Sequence, residues 1–183
     1  MSARVVPASQ DGPPPAAAEP TAIPSFDQLY KENWRYVASI AERLLLRRDD
    51  VKDIVQEVFL RAYRGLAQIE NAAAVKGWLA TITVRAVTDR LRRRKWQQAL
   101  MLEQASSVDD IPTPAAGPEE MAELRAVYAA LNRLPVKERV AWTLRYVDQE
   151  PLEVVANLCG CSLATAKRRI ASAQEKLKKL HDK

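Results

Sequence analysis

Cysteine and histidine are nearly absent from this 183-residue chain, and their scarcity excludes several kinds of site. The cysteines, Cys159 and Cys161, are one residue apart and cannot form a disulfide framework. With His181 as the only histidine, the chain falls short of the roughly four ligands of a structural zinc site. We therefore interpret the cysteine pair as small turn and core residues, in preference to a metal site or a redox switch, and expect no metal and no cofactor.

Catalytic motifs and long apolar runs are also missing. The chain contains no glycine-rich phosphate loop, histidine–glutamate helix pair, nucleophile elbow or paired-carboxylate pocket, so we predict that it is not an enzyme. No segment has the apolar run of a signal peptide or the roughly 20 apolar residues of a membrane span. These absences predict a soluble, cytoplasmic protein without membrane insertion.

The residues that are present favour an all-α fold. Five glycines and a high content of Ala, Leu, Arg and Glu favour helices over sheets. The chain has 28 lysines and arginines against 23 aspartates and glutamates, and the resulting net charge of +5 favours a polyanionic partner.

Breaker residues divide the chain into two small helical domains with a tail and a linker. Residues 1–24 hold most of the prolines and predict a disordered tail, with a proline-rich ligand for a partner as the alternative. Residues 98–118 are predicted to be a flexible linker. The domains on either side of it are predicted at 25–97 and 119–183.

The first domain is organised around a predicted helix over Asp49–Leu66. Its apolar residues recur at steps of three and four. Asp49 or Asp50 is the expected N-cap, and Gly65 is the expected stop signal. The opposite face is either a solvated surface or a docking surface, and it carries Lys52, Asp53, Gln56, Glu57, Arg61 and Arg64.

The next predicted helix spans Val75–Trp96 and follows a predicted connecting loop over 68–74. Its later half is strongly basic and carries Arg85, Arg90, Arg92, Arg93, Arg94 and Lys95. Such charges suit a helix C-terminus and are often only solvated, but their number exceeds what capping needs, so we favour nucleic-acid contact. Trp78 is interpreted as a core residue, with stacking on a base as the alternative.

The second domain ends in a helix-turn-helix pattern. A short predicted helix over 151–158 precedes a turn in which Gly160 supplies a positive φ. Val154 is assigned to the inward face of this short helix, and Val127 and Val147 belong to the apolar patterns of the helices before it.

The second helix of this pattern is predicted to run from Leu163 to Leu180, with Ser162 as its N-cap. Its outward face carries residue types that bind phosphates and guanine edges, namely Thr165, Lys167, Arg168, Arg169 and Ser172. The alternative is a helical hairpin whose basic face is merely solvated.

Two segments resemble one known family. The string Asp53–Ala62, DIVQEVFLRA, resembles the hallmark helix of the sigma-70 family of RNA polymerase sigma factors, and most of all its extracytoplasmic-function class. Leu134–Arg139, LPVKER, resembles the Leu-Pro-x-x-x-Arg motif that opens region four of the same family. The resemblance implies a region-two helical bundle in the first domain and a region-four helix-turn-helix in the second.

The resemblance also implies residue roles. Asp53, Gln56 and Glu57 match the positions that contact core RNA polymerase. The residues implied to contact the downstream (−10) promoter element are Glu70, Asn71, Ala72, Ala73, Trp78, Arg85, Arg90, Arg92, Arg93, Arg94 and Lys95. Those implied to contact the upstream (−35) element are Ser162, Thr165, Lys167, Arg168, Arg169 and Ser172.

Together, these expectations describe an alternative sigma factor that directs promoter-specific transcription initiation. Its implied partners are core RNA polymerase, promoter DNA and an anti-sigma factor that holds it inactive. The residues alone are also compatible with two other interpretations. One is a conventional helix-turn-helix transcription regulator, and the other is a protein-interaction module whose basic faces are incidental.

Overall fold

The computed structural model of the chain describes residues 24–45, 48–69, 71–100 and 118–181. Within these ranges the chain forms seven α-helices, and no strand is present, so the predicted all-α class is confirmed. The helices are α1 Phe26–Leu45, α2 Arg48–Gly65, α3 Val75–Ala99, α4 Pro118–Arg133, α5 Val136–Tyr146, α6 Leu152–Leu158 and α7 Leu163–His181. None of the helices in these ranges is long and apolar enough to cross a membrane.

Most of the predicted tail and linker lies outside the described residues, at 1–23 and 101–117. Helix α3 continues to Ala99 and therefore enters the segment predicted as linker. The residues after Trp96 are two glutamines and an alanine, which are good helix formers with no breaker among them.

Helices α1, α2 and α3 pack together as a three-helix bundle. Ser25 begins this bundle as the N-cap of α1, since its Oγ accepts a hydrogen bond from the Gln28 backbone N–H at 3.4 Å. The Gln28 side chain accepts in return from the Ser25 N–H at 3.1 Å, which completes a capping box. The fully buried side chains of the bundle include Leu29, Val37, Leu44, Ile54, Val58, Leu79, Val84 and Val87.

The prediction that Asp50 caps α2 is wrong. The helix already begins at Arg48, so Asp50 lies inside its first turn. Its carboxylate accepts hydrogen bonds from Arg90 at 3.1 and 2.6 Å and from Arg94 at 3.3 Å. A charge-assisted pair with arginines on another helix thus replaces the local capping bond. The side chain of Asp49 lies outside the description.

Helix α2 does end at Gly65, as predicted, but not through a left-handed backbone. Gly65 has φ of −104°, which any residue can adopt. A Cβ at this position would lie 3.0 Å from Cζ2 of Trp78, so the glycine makes room for the indole ring. The loop predicted over 68–74 contains two short 3-10 turns, Leu66–Gln68 and Ala72–Ala74.

Helices α4 to α7 form the second helical unit, in which three valines of the predicted apolar patterns are exposed, and the prediction that Val154 faces inward is wrong. Val127, Val147 and Val154 are 50%, 49% and 37% exposed. Val147 lies just beyond the end of α5, and the inward face of α6 is taken by Val155 and Leu158, which are buried.

The two units share one continuous core, which the sequence analysis did not predict. A single cluster of buried apolar side chains runs from the α1–α3 bundle into α5, α6 and α7. On the second unit it contains Val136, Val140, Ala141, Leu144, Val155, Ala156, Leu158, Ala166 and Ile170. The helix-turn-helix is thereby held against α3.

Candidate functional site

An acidic and amide ridge, defined as Asp53, Gln56 and Glu57, lies on the outer face of α2. Asp53 and Gln56 are exposed and Glu57 is partly exposed, because spacings of three and four residues align them on one side of the helix. The side chain of Asp53 is 62% exposed. The ridge is therefore accessible to solvent and is not part of the apolar core.

Arginines from the protein itself flank the ridge. Arg90 Nη2 donates to Asp53 at 3.1 Å, and Arg61 Nη2 donates to Glu57 at 2.5 Å. Arg93 Nη2 lies 3.9 Å from the second oxygen of Glu57. Exposed pairs of this kind contribute only about 0–1 kcal/mol, so arginines of a partner can replace them.

At the basic end of α3, some cationic side chains form intramolecular contacts and others are exposed to solvent. Arg90 and Arg94 bind Asp50, and the hydrogen bond to Asp50 raises the pKa of Arg90. Lys95 Nζ donates to the backbone oxygen of Leu134 at 2.5 Å, and burial lowers its pKa. Arg92 and Arg93 stay exposed, so half of the predicted downstream cations are committed to intramolecular contacts.

An open cleft between α2 and α3 brings Arg92 and Arg93 beside an exposed tryptophan. The cleft measures about 590 Å³ and is lined by Arg61, Asp89, Arg92, Arg93, Trp96 and Gln97. Trp96 is 71% exposed. In the sequence, Trp96 marks only the end of a predicted helix. Its exposure and three neighbouring guanidiniums would suit an unstacked base and its phosphate.

The loop residues predicted for the downstream element are only partly available. Asn71 Oδ1 accepts a hydrogen bond from the Ala73 N–H at 2.8 Å and caps the second 3-10 turn. Its amide nitrogen remains on an exposed side chain, and Ala72 is half-buried. Trp78 is half-buried against Gly65, and Glu70 lies outside the described residues.

The helix-turn-helix has the local geometry predicted for it. Gly160 has φ of +56°, and Ser162 Oγ accepts from the Thr165 N–H at 3.3 Å. The Ser162 and Thr165 hydroxyls also share a hydrogen bond of 2.9 Å. Of the predicted upstream residues, Lys167 and Arg168 are exposed, and Arg169 and Ser172 are half-buried.

Arg145 is a cation near this helix that the sequence analysis did not select. Its Nη1 donates to the Glu150 backbone oxygen at 2.9 Å. Arg145 lines an open cleft of about 550 Å³ together with Lys167 and Lys178 on α7. Nothing in the local sequence of α5 predicts this neighbourhood, because it depends on how α5 packs against α7.

The two cysteines lie in the turn of the helix-turn-helix. Both are free and half-buried, and both pack against the core cluster. Burial raises the pKa of the Cys159 thiol to about 11, and Cys161 beside it acts in the same direction. Within the described ranges, no group of three or more candidate metal ligands comes together.

Comparison with known proteins accounts for both units. Residues 29–97 match the family model Sigma-70 region 2, and residues 124–177 match Sigma-70, region 4. The chain is 32% identical over 156 residues to the ECF RNA polymerase sigma factor SigM of Mycobacterium tuberculosis, covering 85% of this chain and 76% of that protein. The chain belongs to the sigma-70 family, in its extracytoplasmic-function class. It is therefore an alternative sigma factor.

Two further proteins are similar to this sigma factor over most of both chains. The ECF RNA polymerase sigma-E factor of Escherichia coli is 29% identical over 166 residues, which are 82% of this chain and 83% of the relative. The sigma factor RpoE of Bartonella quintana, solved in complex with the anti-sigma factor NepR, is 25% identical with a TM-score of 0.64. That match covers 86% of this chain and 96% of the other.

The two matched regions of the sigma factor coincide with the two helical units. Region two covers most of α1 and nearly all of α3, with the whole of α2 between them, so it contains the acidic and amide ridge. Region four covers α5 and α6 with most of α4 and α7, and so contains the helix-turn-helix. The family recognised from two short motifs is thus confirmed over both units.

Proposed function

We propose that this sigma factor binds core RNA polymerase through Asp53, Gln56 and Glu57 on α2. One observation carries the proposal: these residues are solvent-accessible on a rigid helix although none of them is needed to fill the core. Carboxylates one helical turn apart suit a cationic helical partner through charge-assisted hydrogen bonds. Arg61 and Arg90 orient the carboxylates before binding and can be displaced by the partner's own cations.

The downstream promoter element binds, in this proposal, to the α3 side of region two. Arg85, Arg92, Arg93 and Trp96 form its exposed part, and Arg90, Arg94 and Lys95 join once their internal contacts are released. Asn71 offers an amide N–H to a base edge, since its oxygen is already used by the 3-10 turn. The remaining downstream-element contacts are proposed only because they match positions in the sigma-70 family, and they are Glu70, Ala72, Ala73 and Trp78.

The upstream element binds to the start of α7. Ser162 and Thr165 stand at the helix N-terminus, where backbone N–H groups favour phosphate, and Lys167, Arg168 and Arg169 offer donors to guanine O6 and N7. Ser172 lies about two turns along the same helix. Arg145 is added as a phosphate contact because it lines the cleft beside Lys167.

The regulation and location of the protein follow from its relatives. The Bartonella quintana relative forms a complex with an anti-sigma factor, and we infer an inhibitor of the same kind for this chain. We place the protein in the cytoplasm, where core RNA polymerase is found, and assign it no catalytic activity of its own. The domains are assigned to 25–97 and 119–183, with 1–24 as a tail and 98–118 as a linker.

Initiation on a promoter library tests this function directly. The purified protein is mixed with core polymerase and a library of DNA fragments, and the transcripts are sequenced. Promoter-directed transcripts that share two upstream motifs support the proposal. Tight duplex binding without any need for polymerase would favour a conventional regulator instead, and neither activity would favour an interaction module.

A further inference from the structure

One stripe of α3 lines the open cleft of about 590 Å³ with side chains of different chemistry. Its members are Asp89, Arg92, Arg93 and Trp96, whose spacing places them on the same side of the helix. The first and the last are seven residues apart, which is about 10 Å along the helix axis. All four side chains are exposed. The stripe therefore offers a carboxylate, two guanidiniums and an aromatic face to one ligand.

Two charged groups on this stripe have no intramolecular partner among the described residues. The Asp89 carboxylate forms no salt bridge and no side-chain hydrogen bond there, although three arginines line the same cleft. The Arg92 guanidinium also has no carboxylate partner within these ranges. The other two arginines of the cleft, Arg61 and Arg93, approach Glu57 at 2.5 and 3.9 Å. Because a carboxylate beside guanidiniums ordinarily pairs with them, the unpaired Asp89 is available to a ligand.

A nucleotide combines the groups that this cleft can bind. Trp96 is 71% exposed, and a base stacks readily on the face of such an indole. Arg92 and Arg93 lie one turn before it, and guanidiniums bind phosphate oxygens through paired N–H donors. Arg61 adds a third guanidinium from α2. The cleft volume of about 590 Å³ lies within the roughly 300–1,000 Å³ that is usual for small-molecule sites.

The carboxylate of Asp89 determines which base suits the cleft. An ionised carboxylate only accepts hydrogen bonds, and its two oxygens lie side by side. The Watson–Crick edge of guanine carries two adjacent donors, N1–H and N2–H, which match these oxygens. Adenine and cytosine have an acceptor nitrogen next to their amino group, and uracil and thymine have a single N–H between two carbonyls. Each of these bases would bring an acceptor against the carboxylate, so Asp89 favours guanine.

We propose that the cleft between α2 and α3 is a guanine-nucleotide site, in which the base stacks on Trp96 and its Watson–Crick edge binds Asp89. The phosphate binds Arg92 and Arg93. The inference rests on the proposed function, which assigns these arginines and Trp96 to promoter DNA, and adds the identity of the base and the role of Asp89. A guanine in a single promoter strand and a free guanine nucleotide offer the same chemistry, and the test separates these sources.

Nuclear magnetic resonance of the isotope-labelled full-length protein tests the site, because each tryptophan gives its own indole N–H signal. Trp96→Phe identifies the signal of Trp96, which guanosine monophosphate should shift in a saturable way. Trp34 is the matched internal control for nonspecific stacking, since it is 41% exposed and has Arg35 over its ring at 5.3 Å. Trp142 donates its indole N–H to Gln174 at 2.7 Å in region four, and its signal should not move.

Selectivity for the base tests the role of Asp89. Adenosine and uridine monophosphates should bind roughly tenfold more weakly than guanosine monophosphate, as expected when a bidentate pair is lost. Asp89→Asn should reverse the preference towards adenine, because an amide offers one donor and one acceptor to N1 and N6–H of that base. Asp27→Asn is the matched control, since Asp27 is exposed in the first turn of α1, and this variant should keep the preference for guanine. Equal weakening of both bases in Asp89→Asn would overturn the proposal.

A second titration separates the two sources of guanine. Its probes are an all-thymidine single strand and the same strand with one central deoxyguanosine. If the strand with guanine shifts the Trp96 signal at a lower concentration than guanosine monophosphate does, the site binds promoter DNA. The reverse order assigns the site to a free guanine nucleotide, and both orders support the proposal.

Two further outcomes would overturn the guanine site while leaving the proposed function intact. One is the absence of a saturable shift at Trp96 with guanosine monophosphate and with the guanine-containing strand. The other is a shift of equal size with uridine monophosphate, or an equal shift at Trp34. Failure of the wild-type protein to direct promoter-specific initiation, together with a guanine-specific shift at Trp96, would instead overturn the proposed function and leave a free-nucleotide site.

Discussion

Arg90 and Asp50 tie the basic end of α3 to the first turn of α2 by two hydrogen bonds of 3.1 and 2.6 Å. The same guanidinium also reaches Asp53 at 3.1 Å. One arginine thus links a structural carboxylate, whose side chain is 15% exposed, to a ridge carboxylate that is 62% exposed. We therefore expect Asp50 to serve the stability of region two and Asp53 to serve the proposed binding of polymerase.

Asp50→Asn is expected to destabilise region two far more than Asp53→Asn. Asp50 is mostly buried and satisfies two arginines, so its loss should cost about 1.5–3 kcal/mol. The exposed Asp53 pair should contribute no more than about 1 kcal/mol. Urea unfolding of both variants, followed by circular dichroism, provides the comparison. Equal losses of stability would mean that the Asp50 pairs are no stronger than surface contacts.

Charge reversal on the ridge should abolish binding to core polymerase without unfolding the protein. In Asp53→Arg/Glu57→Arg, two attractive contacts become repulsive against a cationic partner, and we expect affinity to fall at least 100-fold. Glu32→Arg on the exposed side of α1 is the matched control, because it adds the same kind of charge away from the ridge. Surface plasmon resonance with immobilised core enzyme gives the affinities. Unchanged binding by the double variant would exclude the ridge as the docking surface.

Replacing arginines at the start of α7 should weaken upstream-element recognition selectively. Arg168→Ala and Arg169→Ala are each expected to cost about 1–3 kcal/mol for a true base contact and to relax the sequence preference. Lys179→Ala is the control, since this residue is 72% exposed and paired with Glu175 later on the same helix. Transcription from a promoter found in the library, and from variants of its upstream motif, measures both effects. An unaltered preference in both arginine variants would contradict the recognition role of this helix.

The sequence was sufficient where a local signal had no competing use in the tertiary structure. The steps of three and four residues that place Asp53, Gln56 and Glu57 on one face survive in the structure, and so does the positive φ of Gly160. Several contacts that sequence reasoning missed join residues that are distant in the chain. Arg139 and Leu44 are 95 residues apart and Arg90 and Asp50 are 40 apart, and no periodicity connects them.

Predictions from local sequence rules, such as helix capping, also failed where tertiary contacts used the same residue for another purpose. Asp50 suits a helix N-terminus, yet it pairs with Arg90 and Arg94, because a charge-assisted bond to arginine is stronger than a cap. Gly65 does end α2 as predicted, but no local rule predicts that its small size also makes room for the Trp78 ring. The role of each of these residues depends on tertiary packing, so a short segment of sequence cannot predict it.

Alanine substitutions at two glycines should change stability in opposite directions. Gly160 has φ of +56°, so Gly160→Ala should destabilise the protein by about 1–2 kcal/mol. Gly77 lies in the first turns of α3 with nothing within 4 Å of an added Cβ, so Gly77→Ala should stabilise it by about 0.5–1 kcal/mol. Thermal unfolding separates the two cases. The same sign of change in both variants would contradict the assignment of backbone strain to Gly160.

Alkylation of Cys159 should be slow in the folded protein and should accelerate steeply with pH. The folded-state pKa of about 11 lies above the ordinary value of 9.0, so the folded protein keeps the thiol proton over this interval. At pH 8 only about one thiol in a thousand is then the reactive thiolate, against about one in ten when the pKa is ordinary. The stability that this thiol contributes is complete below pH 9 and is lost as the pH rises through 11.

The measurement uses Cys161→Ala, which leaves Cys159 as the only cysteine, and iodoacetamide as the reagent. In the folded protein the rate should rise about tenfold per pH unit between pH 8 and 10. The same variant in urea is the matched control and should react about 100-fold faster at pH 8, because unfolding removes the burial that holds the proton. Native and unfolded rates within a factor of about three of each other would show that the turn of the helix-turn-helix does not bury this thiol.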